Sequence, residues 1–153
     1  MALVDTYAAD SVAFIIGGYR VEGWDRISIY YEAPQFKIIK GIRGKNTRVR
    51  NPNTAAVIEV ELASGNSASN IFESIVNEDM RLGTGNFGVQ IKDILGHELF
   101  FSREAFVEGW ARKDYEEEAS SRVWKIHCLS SVVSDGGGGN AFAQIGERVR
   151  NLF

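Results

Sequence analysis

The feature that most constrains the fold is an alternation of apolar and polar residues that recurs along much of the chain. It runs through four segments, residues 27–32, 58–62, 87–92 and 124–128. Successive side chains of a β-strand point to opposite faces of the sheet. A period of two therefore predicts strands with one face on a core and the other on water or a partner.

Further strands are predicted at residues 12–16, 19–21, 36–40 and 47–50, and a longer one over 98–110. The long segment carries large apolar residues on both of its faces, with Leu99 and Phe101 on one face and Phe100, Phe106 and Trp110 on the other. A strand that is apolar on both faces is usually covered on both. We therefore expect a helix or a neighbouring subunit to cover it.

One segment, residues 67–80, has the spacing of a helix. Its apolar residues recur at intervals of three and four, which places them on one side of a helix. Ser67, Ser69 and Asn70 are candidate N-caps, and Asn70 with Glu73 has the spacing of a capping box. Gly83 and the glycine two residues later end the segment. A second, short helix is predicted over residues 141–153.

The order of these elements predicts the fold class. Regular alternation of strands and helices is missing, which argues against a parallel sheet. We predict a mainly β (α+β) fold, an antiparallel β-sandwich or barrel with one flanking helix. With 153 residues, the chain has the length of one domain. We place that β domain at residues 1–135, followed by a glycine linker and an amphipathic C-terminal extension over residues 136–153.

The composition argues against an enzyme and against a metal protein. The chain has 1 Cys and 2 His, too few for an internal disulfide or a cysteine-rich zinc site. His127 and Cys128 are adjacent on a predicted strand and so point to opposite faces. The Gly83–Gly88 segment matches G-x-G-x-x-G, but it follows a helix and precedes a strand, the reverse of a dinucleotide site. We predict no catalytic, cofactor or metal site.

The apolar runs of the sequence are shorter than a membrane span, and no signal peptide precedes the first predicted strand. With the single cysteine, this predicts a soluble protein from a reducing compartment, without membrane insertion.

Two charge runs of opposite sign stand out. The segment from Lys37 to Arg50 has six cations and no acid, and an acidic run follows the long strand. Three interpretations remain open for the basic run: a solvated loop, a contact to nucleic acid, and head-to-tail stacking of copies through the two runs. The residues concerned are Lys40, Arg43, Lys45, Arg48 and Arg50 on one side and Asp114, Glu116, Glu117 and Glu118 on the other.

Several short motifs in a fixed order resemble a known family. They are DSVAF at residues 10–14, KGIRGK at 40–45, EVEL at 59–62, GNSASN at 65–70, VQIKD at 89–93, Trp124, and GGN at 138–140. This set is similar to that of the tail tube proteins of contractile-tailed bacteriophages, a family related in fold to the tubes of R-type pyocins and type VI secretion systems. The alternatives are the tube of a DNA-free injection particle and a barrel-type module that binds single-stranded nucleic acid.

The resemblance implies a structural virion protein that forms stacked hexameric rings, whose inner sheets join between subunits into a ring-shaped β-barrel around a channel for DNA ejection. It implies that the basic loop reaches the adjacent ring, and from charge alone we expect it to meet the acidic run there. Glu59 and Glu61 are then candidates to face the lumen. The implied partners are further copies of the chain, the tail sheath, baseplate, tail terminator and tape-measure proteins, and genomic DNA in transit. The implied location is the virion tail, after assembly in the host cytoplasm.

Overall fold

A computed structural model describes residues 11–93, 95 and 98–134. The C-terminal extension predicted for residues 136–153, with its helix, lies outside the described residues. Within them the elements are, in chain order, β1 (Val12–Ile16), β2 (Tyr19–Val21), β3 (Trp24–Tyr31), β4 (Phe36–Lys40), β5 (Asn46–Arg50), β6 (Ala56–Ala63), α1 (Ser67–Leu82), β7 (Phe87–Asp93), β8 (Leu99–Val107), β9 (Ser121–Cys128) and β10 (Val132–Ser134).

The strands confirm the predicted mainly β, antiparallel class. Seven of them follow one another in the order β2-β1-β7-β8-β9-β6-β3, and β10 adds to β8. Every neighbouring pair is antiparallel. The sheet begins at β2 and ends at β3, so within the described residues it does not close into a barrel.

The core lies between the inner faces of this sheet and the helix. The rings of Phe72 on α1 and Trp124 on β9 stack with their centroids 5.6 Å apart, and both side chains are fully buried. The apolar positions of the alternating segments 58–62 and 124–128 face this core, including Cys128, as their period predicts. In the described part of the chain, no helix has the length and apolar character needed to span a membrane.

The helix begins at the predicted residue, Ser67, and ends two residues later than its sequence pattern indicates. Its N-cap is Asn66, whose side-chain oxygen accepts a hydrogen bond from the Ala68 amide at 2.9 Å. The Asn66 amide group also donates to the carbonyl oxygens of Glu22 and Gly23, each at 3.0 Å. The predicted caps at Ser67, Ser69 and Asn70 are therefore wrong, because Asn66 holds both the helix and the β2–β3 turn. Gly83 ends the helix in a left-handed conformation, φ 69°.

Strand β8 is shorter than predicted and is irregular in its middle. Arg103 and Glu104 are both exposed, and the pairing with β7 changes register near Phe87. This irregularity puts Phe100 in the core, whereas Phe106 lies on the opposite face against His127, with ring centroids 5.4 Å apart. The prediction that Phe100 and Phe106 share a face is wrong because strict alternation does not continue through the irregularity.

Strands β4 and β5 form a separate two-stranded sheet and, among the described strands, pair only with each other. We call residues 36–50 the basic ribbon. It interrupts the chain between β3 and β6, which are themselves paired from Trp24 and Leu62 to Tyr31 and Ala56. The ribbon is therefore an arm rooted at one end of the main sheet.

The stacking of Phe72 on Trp124 predicts a large contribution of the helix to stability. We expect Phe72→Ala to lower the free energy of unfolding by about 3–5 kcal/mol, because it removes a fully buried ring. The control Met80→Ala is on the same helix, where Met80 is 71% exposed, and should change it by less than about 0.5 kcal/mol. Urea unfolding followed by tryptophan fluorescence measures both. Similar losses for the two variants would contradict this role of Phe72.

Candidate assembly surfaces

The cations predicted for stacking lie together on the basic ribbon. Lys40 ends β4, Arg43 and Lys45 lie in the turn, and Arg48 and Arg50 belong to β5. The turn is held by amide-to-carbonyl hydrogen bonds from Gly41 to Lys45 at 2.8 Å and from Gly44 to Gly41 at 3.0 Å. The backbone of Gly44 is left-handed, with φ 80°, a conformation that favours glycine.

One face of the ribbon combines charge with an aromatic ring. Phe36 pairs with Arg50 and Ile38 with Arg48, so these side chains share a face. The Arg48 guanidinium lies 3.8 Å from the centroid of the Phe36 ring, a cation–π contact that orients the arginine.

The ribbon also carries apolar side chains without cover. Ile38 is 68% exposed, Ile39 is 50% exposed, and Ile42, at the tip, is completely exposed. An isolated two-stranded hairpin is only marginally stable in water. Exposed apolar residues gathered on such an arm are typical of a surface that is buried against a partner.

The acidic run lies in the connection between β8 and β9, residues 108–120, which we call the acidic loop. Two contacts fix this loop on α1. The Trp110 indole donates to Asn77 Oδ1 at 2.9 Å, and the Lys113 ammonium bonds the Glu73 carboxylate. The sequence pattern placed Trp110 at the end of a strand and gave no sign of either contact, since their partners lie far apart in the chain.

The four predicted acids of the loop differ in their surroundings. The Asp114 carboxylate accepts a hydrogen bond from Arg112 Nε at 3.3 Å, and the Asp114 carbonyl accepts one from the Ser120 hydroxyl at 2.6 Å. Glu116, Glu117 and Glu118 are exposed. Asp114 therefore shapes the loop, and the three glutamates present its charge.

The register of β6 and β9 separates the two charge runs. The ribbon precedes Ala56, which pairs with Cys128, whereas the acidic loop precedes Ser121, which pairs with Ala63 at the other end of the same two strands. The amide of Ser64 donates to the Ser120 carbonyl at 3.0 Å and extends this pairing. Within one copy, the root of the basic ribbon and the end of the acidic loop, where Ser120 bonds Asp114, thus lie at opposite ends of the sheet.

Glu59 and Glu61 lie on the face of β6 that points away from the core, opposite the fully buried Val60 and Leu62. Glu59 accepts a hydrogen bond from the Tyr30 hydroxyl at 3.2 Å and lies 3.8 Å from Lys125 Nζ. Desolvation and the neighbouring Glu59 carboxylate raise the pKa of Tyr30.

Glu61 lies 3.9 Å from Arg26 Nε. Since each of these glutamates has a cation beside it, this outer face of the sheet is mixed in sign. The purely acidic surface expected from β6 alone is therefore reduced by its neighbours on β3 and β9.

On this outer face, His127 lies between two carboxylates from other segments. Its Nδ1 lies 3.6 Å from a carboxylate oxygen of Glu32, at the root of the ribbon, and its Nε2 lies 3.6 Å from one of Glu108, at the start of the acidic loop. The alternation of β9 predicts that His127 lies on the outer face, but it does not predict the contacts with Glu32 and Glu108, which belong to two other segments.

Two described side chains with catalytic potential, His127 and Cys128, lie on opposite faces of β9, the first on the outer face and the second in the core. Burial raises the pKa of the Cys128 thiol to about 11, so it remains protonated at neutral pH. Among residues 11–93, 95 and 98–134, no group of three or more His, Cys, Asp or Glu is placed to hold a metal ion.

Comparison with known proteins gives a phage relative and a shared fold. No protein-family profile matches the chain. It is 24% identical over 139 residues to Structural protein ORF10 of Pseudomonas phage KPP10, a match that covers 90% of this chain and 79% of the relative.

Two solved structures share the fold. The cap that terminates the tube of the anti-feeding prophage has a TM-score of 0.56 and 10% identity, over 88% of this chain and 94% of the cap. The sheath/tube terminator of the extracellular contractile injection system PVC, in its extended state, has a TM-score of 0.57 and 8% identity, over 87% of this chain and 99% of the terminator. The chain is thus similar to a structural phage protein and has the fold of terminating components of contractile assemblies.

The tether between Lys113 and Glu73 predicts a measurable titration change. The hydrogen bond from Lys113 lowers the pKa of Glu73 below its ordinary value. The tether therefore forms above the ordinary pKa of glutamate and is lost as the pH falls through the lowered value. We expect Lys113→Met to raise the pKa of Glu73, as measured by NMR titration of its side-chain carboxyl carbon. Arg112→Met, which removes a cation bonded to Asp114, should leave it unchanged; equal shifts would contradict the assignment.

Proposed function

We propose that the protein is a structural subunit of a phage tail or a related contractile particle, and that it builds hexameric rings which stack into a tube for DNA ejection. The observation that carries this proposal is the placement of the basic ribbon and the acidic loop at opposite ends of one sheet. Similarity to a structural phage protein and the fold shared with a tube cap and a terminator support it.

Stacking follows from the charges at the two ends. The basic ribbon of one copy, with Lys40, Arg43, Lys45, Arg48 and Arg50, meets the acidic loop of a copy in the next ring, with Asp114, Glu116, Glu117 and Glu118. Different surfaces of each copy take part, so the contact repeats along an axis and does not close on itself. Attraction between exposed charges of opposite sign also orients approaching rings and weakens as salt screens it.

Ring closure uses the two ends of the main sheet. Strands β2 and β3 terminate the strand order, so each presents an edge for pairing. Exposed edges are commonly covered by another strand or protected against association. Pairing of these edges between neighbouring copies joins the sheets into a continuous barrel, and the resemblance to tail tube proteins gives six copies to a ring.

The outer face that carries Glu59 and Glu61 faces the channel in this arrangement. Proteins hold DNA strongly where lysine and arginine side chains replace the counterions of its phosphates. On this face Arg26 and Lys125 are each beside a glutamate. Paired cations bind phosphate weakly, which suits a surface past which DNA moves.

A second candidate function is that of a tube terminator. Solved structures that share the fold include a tube cap and a sheath/tube terminator. A terminator forms one ring that ends the tube, whereas a tube subunit stacks repeatedly. In either role the partners are further copies and the sheath, baseplate and tape-measure proteins, and the location is the virion tail after assembly in the host cytoplasm.

Negative-stain electron microscopy of the purified full-length chain separates these functions. Tubes of many stacked rings support the tube subunit, and single rings that stack only on a tube protein support the terminator. A monomer that persists at high protein concentration overturns both.

Charge reversal tests the stacking contact. We expect Arg43→Glu, Lys45→Glu and Arg48→Glu together to abolish tubes and leave single rings with unchanged circular dichroism, because these side chains are exposed. Added Glu116→Lys, Glu117→Lys and Glu118→Lys should restore stacking.

The matched control is Arg81→Glu, Lys92→Glu and Arg103→Glu, which reverses three exposed cations outside the ribbon and changes the net charge equally. This control should still form tubes. Tube growth in the ribbon variant at the wild-type rate, or loss of tubes in both variants, would refute stacking through the ribbon charges.

A further inference from the structure

The main sheet leaves an open cleft on its core side. Its volume is about 590 Å³, and it lies between β3 and the ends of β1, β7 and β8. This size is within the roughly 300–1,000 Å³ of typical binding clefts. The lining is mostly apolar and includes Val12, Trp24, Ile27, Ile29, Ile91, Leu99, Phe100 and Val133.

The cleft is a part of the core that the described residues do not fill. Ile29 of β3 is 37% exposed, although its pairing partner Ile58 on β6 is completely buried. Tyr31, two residues further along the same face, is 38% exposed. An open apolar cleft inside a β fold is typical of a docking site.

The rim of the cleft carries acidic residues. Asp25 and Glu98 are exposed, and Asp93 also lies at the cleft. The lining also includes the cation Arg26, whose Nε lies 3.9 Å from the Glu61 carboxylate. The basic ribbon has the complementary character, since it joins exposed isoleucines to six cations without any acid between Lys37 and Arg50. One chain therefore carries both an apolar cleft with acidic residues at its rim and an apolar ribbon with basic residues, and the two surfaces are complementary.

The cleft extends along the whole of β3 and so reaches both ends of the sheet. Its lining runs from Trp24, which pairs with Leu62 near the acidic loop, to Tyr31, which pairs with Ala56 where the ribbon is rooted. A ribbon that arrives at the acidic end of the sheet therefore meets the acidic loop and the Asp25 end of the cleft together.

We propose that the cleft receives the tip of the basic ribbon, with Ile42, from a second copy of the chain. This inference rests on the proposed function and names the apolar half of its stacking contact. The occupant comes from another copy because the ribbon pairs only with itself here and Ile42 is completely exposed. The cations of the ribbon bind the acidic loop, and Ile42 at its tip fills the cleft.

A disulfide between copies tests this contact. One preparation carries Ile42→Cys and another carries Ile29→Cys; the two are mixed, left to assemble and oxidised. We expect a linked dimer on a non-reducing gel, because a disulfide requires Cα atoms within about 7 Å. The native Cys128 is buried and remains in both chains. The matched control replaces Ile42→Cys by Met80→Cys, an exposed position on the helix, and should give no dimer with Ile29→Cys.

A second pair of variants measures the apolar contribution. Ile42→Ser should raise the protein concentration needed for stacking at least tenfold, whereas Met80→Ser should leave it unchanged. Both side chains are exposed in the single copy, so neither change should alter folding.

The outcomes separate this inference from the proposed function. Tubes without the Ile42–Ile29 linkage and with unchanged assembly of Ile42→Ser overturn the inference alone. A linked dimer without rings or tubes supports the inference and overturns the tube function. A monomer without linkage overturns both.

Discussion

The pairing of β6 with β3 on one side and β9 on the other is the interaction on which the rest of the structure depends. It fixes which side chains of three strands face the core, because a shift of one residue would move every side chain to the other face. The same register sets Glu59 beside Lys125 and Glu61 across from Arg26. It also determines that the basic ribbon leaves the sheet at one end and the acidic loop joins it at the other.

Local patterning of the sequence predicts much of this fold. The bounds of β1, β2 and β4 match the predicted segments, and α1 extends two residues beyond its predicted end. The residue pattern within each of these elements is enough to predict its type and position, so the sequence alone is sufficient for them. The helix cap and the faces of β8 could not be predicted in this way. Asn66 is chosen by its bonds to the β2–β3 turn, and the irregularity between Phe100 and Phe106 is set by pairing with β7.

The candidate surfaces also differ in how far the sequence alone predicts them. Runs of charge are visible in the sequence, and the structure assigns them to an arm and a loop. The cleft, by contrast, is formed by residues from both ends of the described chain, such as Val12 and Val133, and no local pattern joins them. The mixed sign of the Glu59 face is also non-local, since its cations come from β3 and β9. The cleft and the charge of the Glu59 face therefore both depend on residues that lie far apart in the sequence.

The rooting of the ribbon has a mechanical consequence. Its two strands continue the paired strands β3 and β6, and β6 is in turn paired with β9 over its whole length. A partner that pulls on the ribbon along these strands loads the backbone hydrogen bonds between β6 and β9 together, in shear, and does not open them one at a time. Bonds that share a load in this way fail only collectively, so the arm is anchored to a strand that is paired at every residue.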